Sequence, residues 1–480
     1  MPDRRATWGL IVVAVAARAG AVLVLQSHTV PNSTYEHGAI AESLIAGRGF
    51  TVRFLGAEGP TSQQAPVYPF VVAAAYAVGG VATPRALFLL EMAQAALGGV
   101  LVAGVLRLAS EVAPGNTWVS RSAGLIAAVH PTLVYAATHV QVASLAATLL
   151  VFTLARAYRL GRTGGTRDAV ATGVMLALLV LTDPILGLAA AGVVLAVLGG
   201  GSRASHPDTP RAVEPRRPFR SLAVVGVTAA IGLAPWTARN YRVHGEFVAV
   251  KSTFGYAFWQ GNCALSVGTD KVVRASAEKA LRRADRGLGL RGLNATLWEA
   301  RHEAGYLDDI ALTADDYREL ARVSEPERSR TLFRKALADL RSEPGRYSRL
   351  CLRRFRYFVL FDESNPKTRT LVYRAGHLAL TALAAFGYLL AGPETRRRLG
   401  PTVVTAGLVA AFHSLTIVSA RFHIPIEPLM AVWAACGLTR WGPDGSTAAA
   451  DDVDGVRLVS GLRPVPAGDL AAGPGRIRGI

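Results

Sequence analysis

Glu36 is the one carboxylate in the first turn of a short helix that can be read from a polar stretch, residues 30–70 (VPNSTYEHGAIAESLIAGRGFTVRFLGAEGPTSQQAPVYPF). Asn32, Ser33 and Thr34 all suit an N-cap, and the Ser33-x-x-Glu36 spacing predicts a capping box opening an amphipathic helix over 34–46. Gly47 and Gly49 supply its stop. At about 100° per residue, Glu36, Ile40, Ser43 and Leu44 share one face, so the helix can lie on a membrane surface. Two roles stay open for Glu36: a cap that complements the helix dipole, or a general base.

Further polar residues stand at the ends of apolar runs. They are His37 beside Glu36; Gln63, Gln64 and Tyr68; His139 and Gln141; Asp183 in LTDP; Arg239, Asn240 and Arg242; and Arg421, His423 and Glu427 in ARFHIPIEP. Singly, such residues are anchors or caps more often than catalysts. Together, a carboxylate, several cations and aromatics facing a bilayer suit chemistry on a lipid-linked anion, because arginine's planar fork holds phosphate oxygens two at a time.

The elements that must position them are membrane helices. The 480 residues are 51% hydrophobic, and the apolar runs predict spans at 8–26, 86–106, 122–138, 140–157, 168–182, 184–200, 219–238, 371–391, 400–420 and 424–441. The fold class is mainly α: a polytopic membrane helix bundle of about ten transmembrane helices. The formal charge of +18 (52 Lys+Arg against 34 Asp+Glu) lies largely in arginines between the spans. They are read as topology signals beside anionic membrane lipids, and nucleic acid is excluded as a partner. That pattern agrees with itself along the chain if the N-terminus is cytoplasmic. It then requires 66–81, with two prolines, to be a re-entrant or interfacial element rather than a crossing.

Residues 1–238 read as an N-terminal membrane region with its first outer loop at 27–85, and 239–370 as an outer helical loop domain. Residues 371–441 carry the last spans, and 442–480 read as a disordered cytoplasmic tail. Both termini are expected inside and the site outside, in a plasma (inner) membrane. Cys263, Cys351 and Cys436 match no metal spacing, though the first two share a compartment and could pair.

YEHGAIAESLIAGRGF, GPTSQQAPVYPF, LTDP, APWTARNYRVHGEFVAVKSTFGYAFWQGN and RFHIPIEPLMAVWAA, in that order, resemble polytopic glycosyltransferases of the C-type fold. The nearest groups are the protein O-mannosyltransferases, the lipid A aminoarabinose transferases and bacterial Rgt-like enzymes. The resemblance implies transfer of a sugar, with inversion, from a polyprenyl-phosphate donor to a hydroxyl of a lipid, glycan or protein on the outer face. It places Glu36 where a subgroup has its catalytic acid, with Ser33 where others carry Asp, Gln141 where a second acid is expected, and Asp183 where Arg is common.

On this reading Arg239, Arg421 and His423 hold the donor phosphate, with Tyr68, Trp259 and Asn262 against sugar or lipid. His37, Gln63, His139, Gln141 and Asp183 are accessory. The motifs fix no cofactor; a divalent metal is compatible, with Glu36 as its ligand if there is one. The competing readings are a multi-span transporter or lipid flippase and a catalytically inactive scaffold.

Overall fold

The computed structural model describes residues 4–200, 217–272, 275–282 and 289–438. The first half forms α1 (Arg4–Leu25), α2 (Tyr35–Ile45), α3 (Val67–Gly79), α4 (Pro84–Val112), α5 (Thr117–Val129), α6 (Pro131–Ala136), α7 (Ala143–Thr163), α8 (Thr166–Thr182), α9 (Ala189–Gly199) and α10 (Pro218–His244). The long polar segment folds as α11 (Phe254–Asn262), α12 (Ala275–Arg282), α13 (Gly289–Glu303), α14 (Leu307–Ala311), α15 (Ala314–Ala321), α16 (Glu325–Ser342) and α17 (Pro344–Val359). The last apolar runs give α18 (Leu371–Leu390), α19 (Pro393–Leu415) and α20 (Glu427–Leu438).

Among the described residues, four helices are long and apolar enough to cross a membrane: Arg4–Thr29, Pro84–Val112, Ala143–Thr163 and Pro218–His244. The expected count of about ten is not reached on that criterion. Prolines cut several apolar runs, with Pro131 dividing α5 from α6 and Pro184 and Pro425 opening short 3₁₀ turns. The 13-residue α3 rises only about 20 Å, short of the ~30 Å hydrocarbon core.

The break at Pro131 is also a binding device. Proline has no N–H to bond the Ala127 carbonyl, and the buried Arg18 of α1 takes it at 3.0 Å together with Ala128 O at 2.9 Å. A charge inside the apolar bundle is thereby hydrogen-bonded rather than orphaned.

Between α2 and α3 the chain forms an antiparallel hairpin, β1 (Thr51–Phe54) with β2 (Ala57–Pro60). Its two-residue turn, Leu55-Gly56, has positive φ at both positions (48° and 86°), as the tightest hairpins require. Gly56 is needed twice over, since a Cβ there would lie 2.7 Å from the Tyr317 carbonyl oxygen. Phe54 and Leu55 enter the core formed by Phe258, Trp259, Leu307, Leu320 and Leu332. The first loop is thus locked to the polar helical region. A second small ladder, β3 (Lys271–Val272) with β4 (Gly305–Tyr306), closes that region on itself.

Two expectations need correction. The capping box does not form: Thr34, not Ser33, is the N-cap of α2, and no side chain caps it. Asn32 and Tyr35 have φ of 53° and 47°, so the chain enters the helix through two left-handed residues. Cys263 and Cys351 are not joined in a disulfide. The expected disordered tail, 442–480, lies outside the described residues.

Candidate active site

The first turn of α2 presents Tyr35, Glu36 and His37 together. A left-handed tyrosine is uncommon and costs about 1–3 kcal/mol of strain, so neighbours must hold it. The Tyr35 ring stacks with Trp298 (centroids 6.4 Å apart, 20° between planes), and the Arg301 guanidinium lies 4.8 Å from its centre. Gly38 lets the turn seat against Thr34 and Tyr76, whose atoms a Cβ would meet at 2.1 and 2.9 Å. The half-buried Glu36 carboxylate makes no hydrogen bond or ion pair with the described residues and is free to act on a ligand.

Five cations from separate segments gather near this turn: Lys251 after α10 and Lys271 in β3, which both feel the Glu36 charge, Arg301 in α13 over the Tyr35 ring, and Arg421 before α20 and Lys367 before α18, which act on or are acted on by these. Burial, the charges of Arg301, Arg421 and Lys271, and only partial relief from Asp362 push the Lys367 amine down to about 7. Burial and Arg301 bring Lys271 down to about 8, with Glu36 acting in the opposite sense. Burial lowers Lys251 as well, opposed by Asp183 and Glu36.

The three amines are oriented by the fold. Lys251 Nζ donates to Gln64 Oε1 at 3.0 Å, and Lys271 Nζ donates to the Arg301 carbonyl at 3.1 Å. Lys367 Nζ stands 5.7 Å from the Tyr135 ring centre. The Arg421 guanidinium makes no hydrogen bond or ion pair with the described residues, and Arg301 Nε is buried without a partner. Cations held this close repel one another until an anion arrives, and two of them keep donors unspent.

The structure brings Glu36, His37, Asp183 and Arg421 into this site. His37, against Tyr68 at 5.0 Å, has a buried Nδ1 without a partner, and burial with Lys251 and Arg421 pushes its pKa down to about 3. It is therefore a neutral group at pH 7. Asp183 caps Ile185 N at 3.2 Å and acts on Lys251. His139 stacks on Trp298 at 4.8 Å at the margin. Gln63 Oε1 and Gln141 Nε2 are buried without partners. Gln141 is no second acid; Asp183 and Asp308, each sharing a charged neighbour with Glu36 or facing it, are the nearby carboxyls.

Other expected ligand-binding residues turn out to be structural. Arg239 spends its guanidinium on the carbonyls of Thr61 (2.6 Å) and Phe50 (3.0 Å). Asn262 is fully buried, donating to Phe258 O and Thr416 O and accepting from Arg354. Trp259 is 1% exposed in the core beneath the hairpin. Tyr68 donates to Gln94 Oε1 at 2.8 Å inside the bundle. His423 commits both ring nitrogens, to the Tyr373 hydroxyl at 2.7 Å and Glu427 Oε1 at 3.0 Å, and so does not face a phosphate.

Around Glu36 the carboxyls Asp183 and Asp308 stand among amines and guanidiniums, which repel a cation, and no three His, Cys or carboxylate groups gather within ligand distance there among the described residues. Such a group lies instead at His377, His423 and Glu427, whose donor atoms are all within 4.8 Å of one another.

Lys251, Lys271, Lys367, Trp298 and Arg301 were not singled out by the sequence reading. A signal was present: Trp298 and Arg301 are three apart, on one face of α13.

No family model and no curated protein matches the chain. Among solved structures it is similar to the apo oligosaccharyltransferase of Archaeoglobus fulgidus, with TM-score 0.51 and 14% identity over 95% of this chain and 53% of that one. The chain thus spans about half the length of that protein. The same organism's oligosaccharyltransferase AglB, with an inhibitory peptide and a dolichol-phosphate, gives TM-score 0.49 at 14% identity, covering 94% of this chain and 52% of that one. ArnT from Cupriavidus metallidurans, bound to undecaprenyl phosphate, gives 0.40 at 15% identity, covering 94% and 81%. The first likeness shows that the chain shares the fold of that oligosaccharyltransferase; the other two are too weak to add to it.

Proposed function

We propose that the protein is a membrane glycosyltransferase that takes a sugar from a polyprenyl-phosphate donor and gives it, with inversion, to a hydroxyl on a lipid, glycan or protein. One observation carries this reading: Lys251 and Lys271 stand near the Glu36 carboxylate, which makes no hydrogen bond or ion pair with the described residues, and Arg301, Arg421 and Lys367 gather with them. The fold and the motif resemblance support it.

Glu36 accepts the proton of the acceptor hydroxyl as its oxygen bonds to the anomeric carbon from the face opposite the phosphate. The bond from that carbon to the phosphate oxygen breaks, and the electron pair leaves with the polyprenyl phosphate. Arg421 and Arg301 hold the departing oxygens with donors the protein leaves free, and the lysines add charge as the phosphate gains it. Preorganised donors at developing charge act without reorganisation cost. The arginine pattern of the loops puts this pocket on the non-cytoplasmic face of an inner membrane, with both termini inside.

The test is incubation of purified protein with a set of radiolabelled polyprenyl-phosphate hexoses and pentoses. Release of polyprenyl phosphate with at least one sugar, lost in Glu36→Gln, is expected. Neither turnover nor binding with any member would overturn the reading.

A further inference from the structure

Glu427, at the start of α20, is fully buried and faces three histidines from three other parts of the bundle. His423 Nδ1 lies 3.0 Å from Glu427 Oε1, His377 Nδ1 lies 3.3 Å from the same oxygen, and His130 Nε2 lies 3.6 Å from Oε2. Each is placed by a distinct local device. Pro131 forces the residue before it out of helical geometry, which turns His130 inward from the end of α5. His423 and Glu427 sit four apart across the 3₁₀ turn Ile424–Ile426, and His377 faces them from one turn into α18.

Proton accounting shows what the cluster lacks. His377 Nε2 faces the Val359 carbonyl at 3.0 Å, and a carbonyl only accepts, so Nε2 carries the hydrogen. A neutral His377 therefore points a bare Nδ1 lone pair at a carboxylate oxygen, which also only accepts. The Tyr373 hydroxyl lies 3.2 Å from the Ala420 carbonyl and 2.7 Å from His423 Nε2. By donating to Ala420 and accepting from His423, it leaves a second bare Nδ1 on the same oxygen. Thr132 donates to the remaining carboxylate oxygen. His130, 5% exposed, keeps Nε2 buried without a partner beside that oxygen. Two imidazole Nδ1 atoms thus share one carboxylate oxygen, and a third imidazole nitrogen stands beside the other.

We propose that this cluster is a structural metal site, taken by a Zn²⁺-class ion held by His377, His423 and Glu427, with His130 beside the second carboxylate oxygen. Imidazole and carboxylate are the donors such an ion prefers, and bonds of about 2.0–2.1 Å in a tetrahedron set donors about 3.3 Å apart. His423 and His377 stand 3.0 and 3.3 Å from the one Glu427 oxygen, close to that edge, and the donor atoms of the three residues all lie within 4.8 Å of one another. Val359 O and the Tyr373 hydroxyl supply the outer hydrogen bonds that fix ring orientation in metal-bound histidines. The ion joins α18 to the start of α20, next to the α5–α6 break. It anchors the turn that carries Arg421 two residues before His423, and it is separate from the chemistry at Glu36.

The test is metal analysis of the full-length protein, purified in detergent without a polyhistidine tag or chelator. About one zinc per chain is expected, with at least a fivefold loss in both His377→Gln and Glu427→Gln. Melting should fall on chelation and recover with zinc. Should the variants fail to fold, cobalt(II) added to metal-depleted wild type should give the visible absorption of a tetrahedral site with nitrogen and oxygen ligands. Under a tenth of an equivalent of any transition metal after dialysis against zinc, with melting indifferent to chelator, would overturn the proposal. Zinc retained in full by both folded variants would overturn it too, since the ion would then sit elsewhere.

Discussion

Arg239 donates to the Thr61 carbonyl at 2.6 Å, and with its second bond to Phe50 O it ties the end of α10 to both strands' flanks of the β1–β2 hairpin. Ser62 N and the Thr61 hydroxyl bond Glu325 from the other side, at 2.7 and 2.6 Å. The arginine is therefore a fastener, and Arg239→Ala should lower stability by about 1.5–3 kcal/mol, as for a lost charged hydrogen bond. Thermal melting in detergent measures this. Lipid-phosphate affinity in the surviving folded fraction should be unchanged; a selective loss of affinity without a melting shift would return Arg239 to the ligand site.

Arg421→Ala and Arg301→Ala should behave in the opposite way. Neither guanidinium makes a side-chain hydrogen bond with the described residues. Removing either should weaken binding of a polyprenyl phosphate by about 10–100-fold, the equivalent of one charge-assisted bond. Titration calorimetry with lipid in matched micelles reads this directly. Unchanged affinity in both variants would remove the phosphate site.

Glu36→Gln separates binding from chemistry. The amide keeps the shape but accepts no proton, so kcat should fall by about 10²–10⁴-fold while lipid-phosphate affinity stays within a few-fold. A variant that turns over normally would strip Glu36 of its role as base.

Binding should depend on pH through the lysines. Lys367, at about 7, and Lys271, at about 8, are charged at low pH and lose their protons as pH rises through those values. A bound phosphate raises both, so binding takes up protons above pH 7. Affinity for a lipid phosphodiester, which does not itself titrate there, should be level below pH 7. It should fall by about tenfold per unit above that, more steeply beyond pH 8. Lys367→Arg, permanently charged, should flatten the fall between 7 and 8. A flat profile in the wild type would contradict the placement of these amines.

The helices were legible because each apolar run is long and bounded by Arg, Gly or Pro, and α2, α3 and α4 fall where periodicity puts them. Glu36 and Arg421 were legible from residue type at the ends of such runs. The hairpin was not, since its turn has leucine, a residue with no turn preference, at a left-handed position. Nor was the fate of Arg239, Asn262 and His423, because composition cannot say whether a polar group meets ligand or backbone. The lysines carried an unused signal. The chain has five, at 251, 271, 279, 335 and 367, leaving 52 − 5 = 47 arginines. Three of those five converge on the site. Lysine shifts its pKa on burial where arginine stays charged, so a scarce lysine in an arginine-rich chain marks a position needing that property.

The closest approach of α18 and α20 fixes both His377 and Glu427, and it depends on glycine. A Cβ on Gly387 would stand 2.1 Å from the Trp433 carbonyl oxygen, and one on Gly437 would stand 2.4 Å from Gly387 Cα. These are backbone atoms, which cannot swing aside as a side chain would, so the helices themselves must part. Gly387→Ala should therefore cost about 1–3 kcal/mol. Gly407, within α19, has nothing within 4 Å of its would-be Cβ. Gly407→Ala should be neutral or stabilising by up to about 1 kcal/mol through helix propensity. Melting both variants side by side in the same detergent isolates the contact from the generic effect of a methyl group. Equal melting temperatures would mean that α18 and α20 are not packed backbone to backbone.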